Sequence, residues 1–68
     1  MVEVFKTNIE HTDEAERIRK LLLNRFSNCQ INLDLEDCDR ILRIKGNVSP
    51  EKIIDIVHAN NYRCEVLE

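Results

Sequence analysis

The chain predicts an α+β domain, a four-stranded antiparallel sheet with two helices on one face. Three features carry that expectation. Apolar and polar residues alternate over short stretches beginning at Val2, Cys29, Ile41 and Tyr62. Between these stretches apolar residues recur three and four apart, at Ala15, Ile18 and Leu22 and again at Ile53, Ile56 and Val57. Alternation is the mark of a half-buried strand, and a period of about 3.6 that of an amphipathic helix. Turn or cap residues punctuate the changes of period, at Thr12-Asp13, Ser27-Asn28, Gly46-Asn47, Ser49-Pro50 and Asn60-Asn61.

Val2 to Thr7 is β-branched and aromatic and reads as the first strand. Thr12 or Asp13 is then expected to cap a helix, with Asp13 and Glu16 at capping-box spacing. Ala15, Ile18, Leu22 and Phe26 form its apolar stripe, with Leu21 and Leu23 at the edges. On the far face Asp13 with Arg17 and Glu16 with Lys20 stand one turn apart as favourable charge pairs. The helix is expected to stop near Ser27-Asn28. Cys29, Ile31, Leu33 and Leu35 alternate with Gln30, Asn32 and Asp34 as a second strand. Glu36-Asp37-Cys38-Asp39 turns the chain, and Ile41 to Lys45 completes a hairpin that Gly46 and Asn47 end. Ser49 as N-cap and Pro50 at the first helical position open the second helix. Asn60-Asn61 closes it, since Asn tolerates the left-handed conformation that usually takes Gly. Tyr62 to Leu67 forms the last strand. The order β-α-β-β-α-β is the split βαβ arrangement of ferredoxin-like domains. The expected fold is therefore a ferredoxin-like βαββαβ sandwich, with residues 1–68 as one domain.

Composition narrows the function classes. Hydrophobic residues are 43% and charged residues 34% of the 68, a globular composition in a chain short enough to favour binding or carrying over an enclosed active site. The net charge is −3 with both signs dispersed, which argues against the clustered basic footprint of a nucleic-acid binder and against a polybasic membrane anchor. Aromatics are only 4% (Phe5, Phe26, Tyr62), too few for stacking bases on an open sheet. The longest apolar runs are far too short to cross a bilayer, and the opening residues look like a strand, so a cytoplasmic setting is expected. Cys29, Cys38 and Cys64 are odd in number and widely spaced, and they read as reduced thiols. No nucleophile pattern accompanies His11 or His58, and one glycine leaves no phosphate loop, so a non-enzymatic role is expected.

Two stretches resemble the heavy-metal-associated domain family of copper carriers and metal-ATPase tails. Phe5-Lys6-Thr7-Asn8-Ile9 is similar to the strand entering that family's metal loop, with Ile9 where a Met usually sits. Ile53-Ile54-Asp55-Ile56-Val57-His58-Ala59-Asn60-Asn61-Tyr62 resembles its second helix and Ala-Gly-Tyr ending. The resemblance spans nearly the whole chain and implies the same fold. The family's MxCxxC motif is replaced by Ile9-Glu10-His11-Thr12-Asp13-Glu14, so both metal-binding cysteines are missing.

Two functional expectations follow. The first is an interaction or regulatory module that has lost the soft-metal site, acting through a partner protein or self-association with no cofactor. If Phe5 and Thr7 face the helices, then Val2 and Val4 lie with Ile41, Arg43 and Lys45 on a mixed apolar and basic open face. The second is a divergent carrier that binds zinc or copper weakly through His11 with Glu14 or a nearby cysteine. Soft Cu(I) needs paired thiolates, whereas His11 and Glu14 offer one borderline nitrogen and one hard oxygen and require further ligands. Topology places the first loop, the hairpin turn and the start of the last strand at one end of the sheet, where His11, Glu14, Cys38 and Cys64 are the candidate metal ligands. The plainer alternative makes His11 a solvated loop residue, Glu14 a favourable first-turn charge, and Cys29 and Cys64 core filler. Cys38 is expected to be exposed, and its acidic surroundings make it a poor nucleophile candidate.

Overall fold

The computed structural model describes residues 1–67. Its elements are β1 (Val2–Thr7), α1 (Thr12–Arg25), β2 (Gln30–Asp34), β3 (Ile41–Lys45), α2 (Pro50–Ala59) and β4 (Cys64–Val66). The strands form one antiparallel sheet in the order β2-β3-β1-β4, so β1 and β3 are central and β2 and β4 are edges.

Residues directly opposite in a sheet share a face. The register sets Phe5 against Leu42 and Val66, Leu42 against Leu33, Ile44 against Glu3 and Ile31, and Thr7 against Cys64. The apolar stripes of both helices close on this face. Ala15, Ile18 and Leu22 of α1 and Ile53 and Val57 of α2 join Phe5, Ile9, Ile31, Leu42, Ile44, Cys29 and Cys64 in one core. Full burial of a large apolar side chain contributes about 1.5–3 kcal/mol, so this face holds most of the domain's stability. All three cysteines are free; Cys29 and Cys64 are buried and Cys38 is exposed. Gly46, after β3, has φ +148°, and a Cβ there would lie 2.6 Å from Cys29 Sγ. Both the backbone and the lack of space demand glycine.

The ends of the elements show which local signals the fold uses. Ser49 is the N-cap of α2 with Pro50 at the first helical position, although its hydroxyl makes no capping bond. At the other end Asn61 is left-handed (φ 71°), Asn61 N donates to His58 O at 2.9 Å, and Tyr62 N donates to Val57 O at 3.3 Å. These two bonds form a Schellman motif with Asn in the glycine position. The start of α1 differs from expectation. His11, in extended backbone (φ −108°, ψ 142°), is the N-cap, and no side chain caps the helix. Helical structure already begins at Thr12, so Asp13 lies inside the first turn and accepts from Glu14 N (3.0 Å). Glu16, freed from a capping box, binds Arg19 at 2.6 Å rather than Lys20. Arg17 turns away from Asp13 towards α2.

The second strand is shorter than its alternation suggests. Cys29 N donates to Phe26 O at 3.0 Å in the turn leaving α1, and the Leu35 carbonyl accepts from the Arg40 guanidinium. Both bonds draw the chain out of the ladder at the ends of β2.

Candidate functional site

The first loop, the hairpin turn and the approach to β4 meet at one end of the sheet, as the topology requires, and buried Thr7 is the join. Its hydroxyl donates to Arg40 O at 2.6 Å and accepts from Ile9 N at 3.2 Å, while Thr7 N donates to Asp39 O at 3.1 Å. Asn8 Oδ1 accepts from Arg63 N at 2.7 Å, tying the same loop to the start of β4. Ile9 is fully buried, so the position that resembles the family's loop methionine is an anchor in the core.

Shared location does not gather the expected donors into one cluster among the described residues. His11 is exposed, and among the described residues its imidazole makes no hydrogen bond; its carbonyl accepts from Ala15 N at 3.0 Å as an ordinary helix start. Glu14 points to the far end of α2, where Tyr62 Oη donates to its Oε2 at 2.8 Å. Arg17 completes a clasp by donating from Nη2 to Tyr62 Oη at 3.3 Å and from Nη1 to Asn60 Oδ1 at 3.1 Å. Its guanidinium carbon stands 6.0 Å from the Tyr62 ring centroid, within cation–π range. Asn60 Nδ2 in turn donates to Ile56 O at 2.8 Å. Glu14 therefore holds the start of α1 to the end of α2. The helix periodicity ranks Glu14 and Arg17 only as surface residues, and Tyr62 lies 48 positions away from Glu14, so no local signal announces the clasp.

Cys64 is 4% exposed, and burial first and Glu65 second push its thiol up from an ordinary 9.0 to about 12. It is thus protonated at neutral pH and packs as a small apolar group. Among the described residues, one cluster gathers three or more metal-capable donors, namely Asp37, Cys38 and Asp39, whose ligand atoms lie within 4.8 Å of one another. His11, Glu14 and Cys64 are not in it. The cluster is a turn with its own internal bonding: Asp37 Oδ1 accepts from Asp39 N at 2.8 Å, Arg40 N donates to Asp37 O at 3.0 Å, and Asp39 Oδ1 lies 3.8 Å from Lys6 Nζ. Arg40 adopts φ 47° to close it.

The remaining candidate surface is the open face of the sheet. The register sets Val2 beside Lys45, Val4 beside Arg43 and Lys6 beside Ile41, flanked by Gln30, Asn32 and Asp34 of β2 and Glu65 of β4. Val2 is 52% exposed, Arg43 and Lys45 are exposed, and Val4 is half-buried. Ile41 departs from the expected contact set. It lies on this face by register, yet it is 4% exposed between Lys6 and Asp34, leaving Val2, Val4, Arg43 and Lys45 accessible. Arg43 and Lys45 supply the positive charge of the patch, whereas Lys6 lies between Asp39 and Glu65, on a chain of net charge −3. Phe5 is on the covered face, Phe26 packs against the core and Tyr62 is in the clasp, so the aromatics lie away from the open-face patch. Beside β4 and α2, a depression of about 560 Å³ is lined by Lys6, Asn8, His58, Arg63 and Glu65 among others. His58 is exposed there, as its outer-face position on the helix implies.

No helix among the described residues is long and apolar enough to cross a membrane. No family model, curated protein or solved structure matches this chain.

Proposed function

We propose that this α+β unit is a ferredoxin-like interaction module, related to the heavy-metal-associated domains it resembles but without their thiolate site, that binds an acidic protein surface through the centre of its open sheet face. The strand order β2-β3-β1-β4 with β-α-β-β-α-β connectivity supports the ferredoxin-like assignment. The observation that carries the function is the uncovered patch of Val2, Val4, Arg43 and Lys45, cationic and partly apolar on a net acidic chain. Opposite charge steers such encounters, and the valines between the charges supply apolar contact area. The loss of the metal site is supported by the donors themselves: Glu14 is bound to Tyr62, and His11, Glu14, Cys38 and Cys64 form no common cluster among the described residues. The role is non-catalytic and independent of nucleic acid and membrane, and free thiols suit a reducing, cytoplasmic setting.

Heteronuclear NMR titration with a glutamate-rich peptide carrying interspersed leucines tests this function. Salt-sensitive shifts are expected at Val4, Arg43 and Lys45, and they should disappear in the double variant Arg43→Glu/Lys45→Glu while the melting temperature stays close to that of the parent. No shift on that face would overturn it. A parallel titration with Zn²⁺, Cu²⁺ and Cu(I) under reducing conditions is expected to leave the first loop unmoved. Saturable shifts at Glu10 to Glu14 that vanish in His11→Ala would instead establish a divergent metal carrier.

A further inference from the structure

We infer that the outer edge of β2 is a dimer edge: two copies of this chain join antiparallel along Gln30–Asp34, with the two-fold axis at Asn32, into one continuous sheet. The direction of the backbone groups along β1 fixes that along β2. Gly46 N donates to Met1 O at 2.9 Å and Thr7 N donates to Asp39 O, so the odd residues of β1 bond towards β3. Leu67 N donates to Val4 O at 2.9 Å, so the even residues bond towards β4. In antiparallel pairs this direction alternates along each strand. Carried through the register, Leu42 and Ile44 bond to β1, whereas Ile41, Arg43 and Lys45 bond to Asp34, Asn32 and Gln30. Ile31 and Leu33 therefore aim their N–H and C=O groups out of the sheet. The groups just beyond are already engaged, with Cys29 N on Phe26 O and Leu35 O on Arg40.

The free segment is complementary to itself. Antiparallel pairing about Asn32 sets Ile31 opposite Leu33 of the second copy, in the phase where all four outward groups of each strand find partners. On the open face the same register sets Gln30 opposite Asp34 of the second copy and Asn32 opposite its own equivalent. Amides meet a carboxylate or an amide, and no like charges stand opposed. On the covered face Ile31 meets the half-buried Leu33 of the second copy. β2 holds no Pro, no Lys and no bulge in its pairing with β3, and its single charge, Asp34, stands opposite Gln30 of the second copy. The other edge, β4, is three residues long and carries Glu65. A groove of about 470 Å³ between Ala15, Glu16 and Arg19 of α1 and Leu33 and Leu35 lies beside the later half of β2. Glu16 and Arg19 neutralise each other on its rim, and the Arg19 guanidinium holds the Glu16 carboxyl below its ordinary range.

Sedimentation equilibrium of the full chain from micromolar to millimolar concentration is the test, read with amide exchange at the same loadings. The mass is expected to rise from 8.0 kDa towards twice that value, with exchange at Ile31 and Leu33 slowing in step. Asn32→Asp and Gln30→Glu each face a cation within their own copy, Arg43 and Lys45 respectively, so the monomer should melt as before. Across the axis each sets carboxylate against carboxylate and is expected to weaken the dimer by roughly tenfold or more. A monomer at millimolar concentration, or a dimer indifferent to both changes, would overturn the inference. So would protection of Ile31 and Leu33 that arises only on adding an unrelated extended peptide. The edge and the acidic-partner patch fail separately, because Arg43→Glu/Lys45→Glu removes the patch and leaves the Ile31 and Leu33 backbone groups in place.

Discussion

The two faces of this sheet are made from alternate residues of the same strands, and they differ almost completely in what they do. On one face Phe5, Leu42 and Ile44 are fully buried beneath both helices; on the other, one residue along, Val4 is half-buried and Arg43 and Lys45 are exposed. The covered face concentrates stability, because its central apolar groups leave water entirely. The open face contributes little to the isolated fold and keeps its charges available. In a chain this small, with ordering cost and burial nearly balanced, one sealed face must hold the domain while the other stays uncovered.

Removing the largest side chain of the sealed face should have the greatest effect. Phe5→Ala is expected to cost about 3–5 kcal/mol in urea unfolding, enough to unfold much of the population at ambient temperature. A loss under about 1 kcal/mol would mean that the two faces do not divide the labour in this way. Alkaline pH probes the same face through Cys64. Its thiol keeps its proton to about pH 12 when folded, whereas the unfolded chain releases it near 9.0. The unfolded state then binds fewer protons over that interval, so stability is complete below the lower value and falls by about 1.4 kcal/mol per pH unit above it. Cys64→Ala should flatten this limb of the stability-against-pH curve, and an unchanged slope would assign the alkaline loss to other groups.

Smaller effects are expected away from the core. Tyr62→Phe removes the hydroxyl that binds Glu14 and Arg17 and should cost about 1 kcal/mol by thermal unfolding, since the ring stays packed and the bonds are only partly buried. Val2→Ala on the open face should change stability by less than about 0.5 kcal/mol. A larger loss from Val2→Ala would show that the open face is stabilising the monomer itself.

The order of elements is legible because each has both a period and a punctuation residue: Ala15, Ile18 and Leu22 at helical spacing, Ser49-Pro50 to start a helix, Asn61 to end one. The burial of Cys29 and Cys64 follows from their place on apolar-alternating positions. At the first loop the element order gives the right end of the sheet but not the contacts made there. Thr12, Asp13 and Glu16 satisfy a capping pattern that the chain does not use, because His11 already marks the helix start and Arg19 competes successfully for Glu16. Ile41 shows a further limit: alternation assigns its face correctly but does not report that it is only 4% exposed there.

Sequence by itself determined the α+β order and the two apolar helix stripes, since periodicity is set by residues close together in the chain. Tertiary structure alone decided that Glu14 serves Tyr62, that His11 joins no cluster of three metal-capable donors among the described residues, and that Ile31 and Leu33 present the free edge of the sheet. Those outcomes depend on pairing between segments tens of residues apart, where geometry selects among many partners that local chemistry ranks as equal.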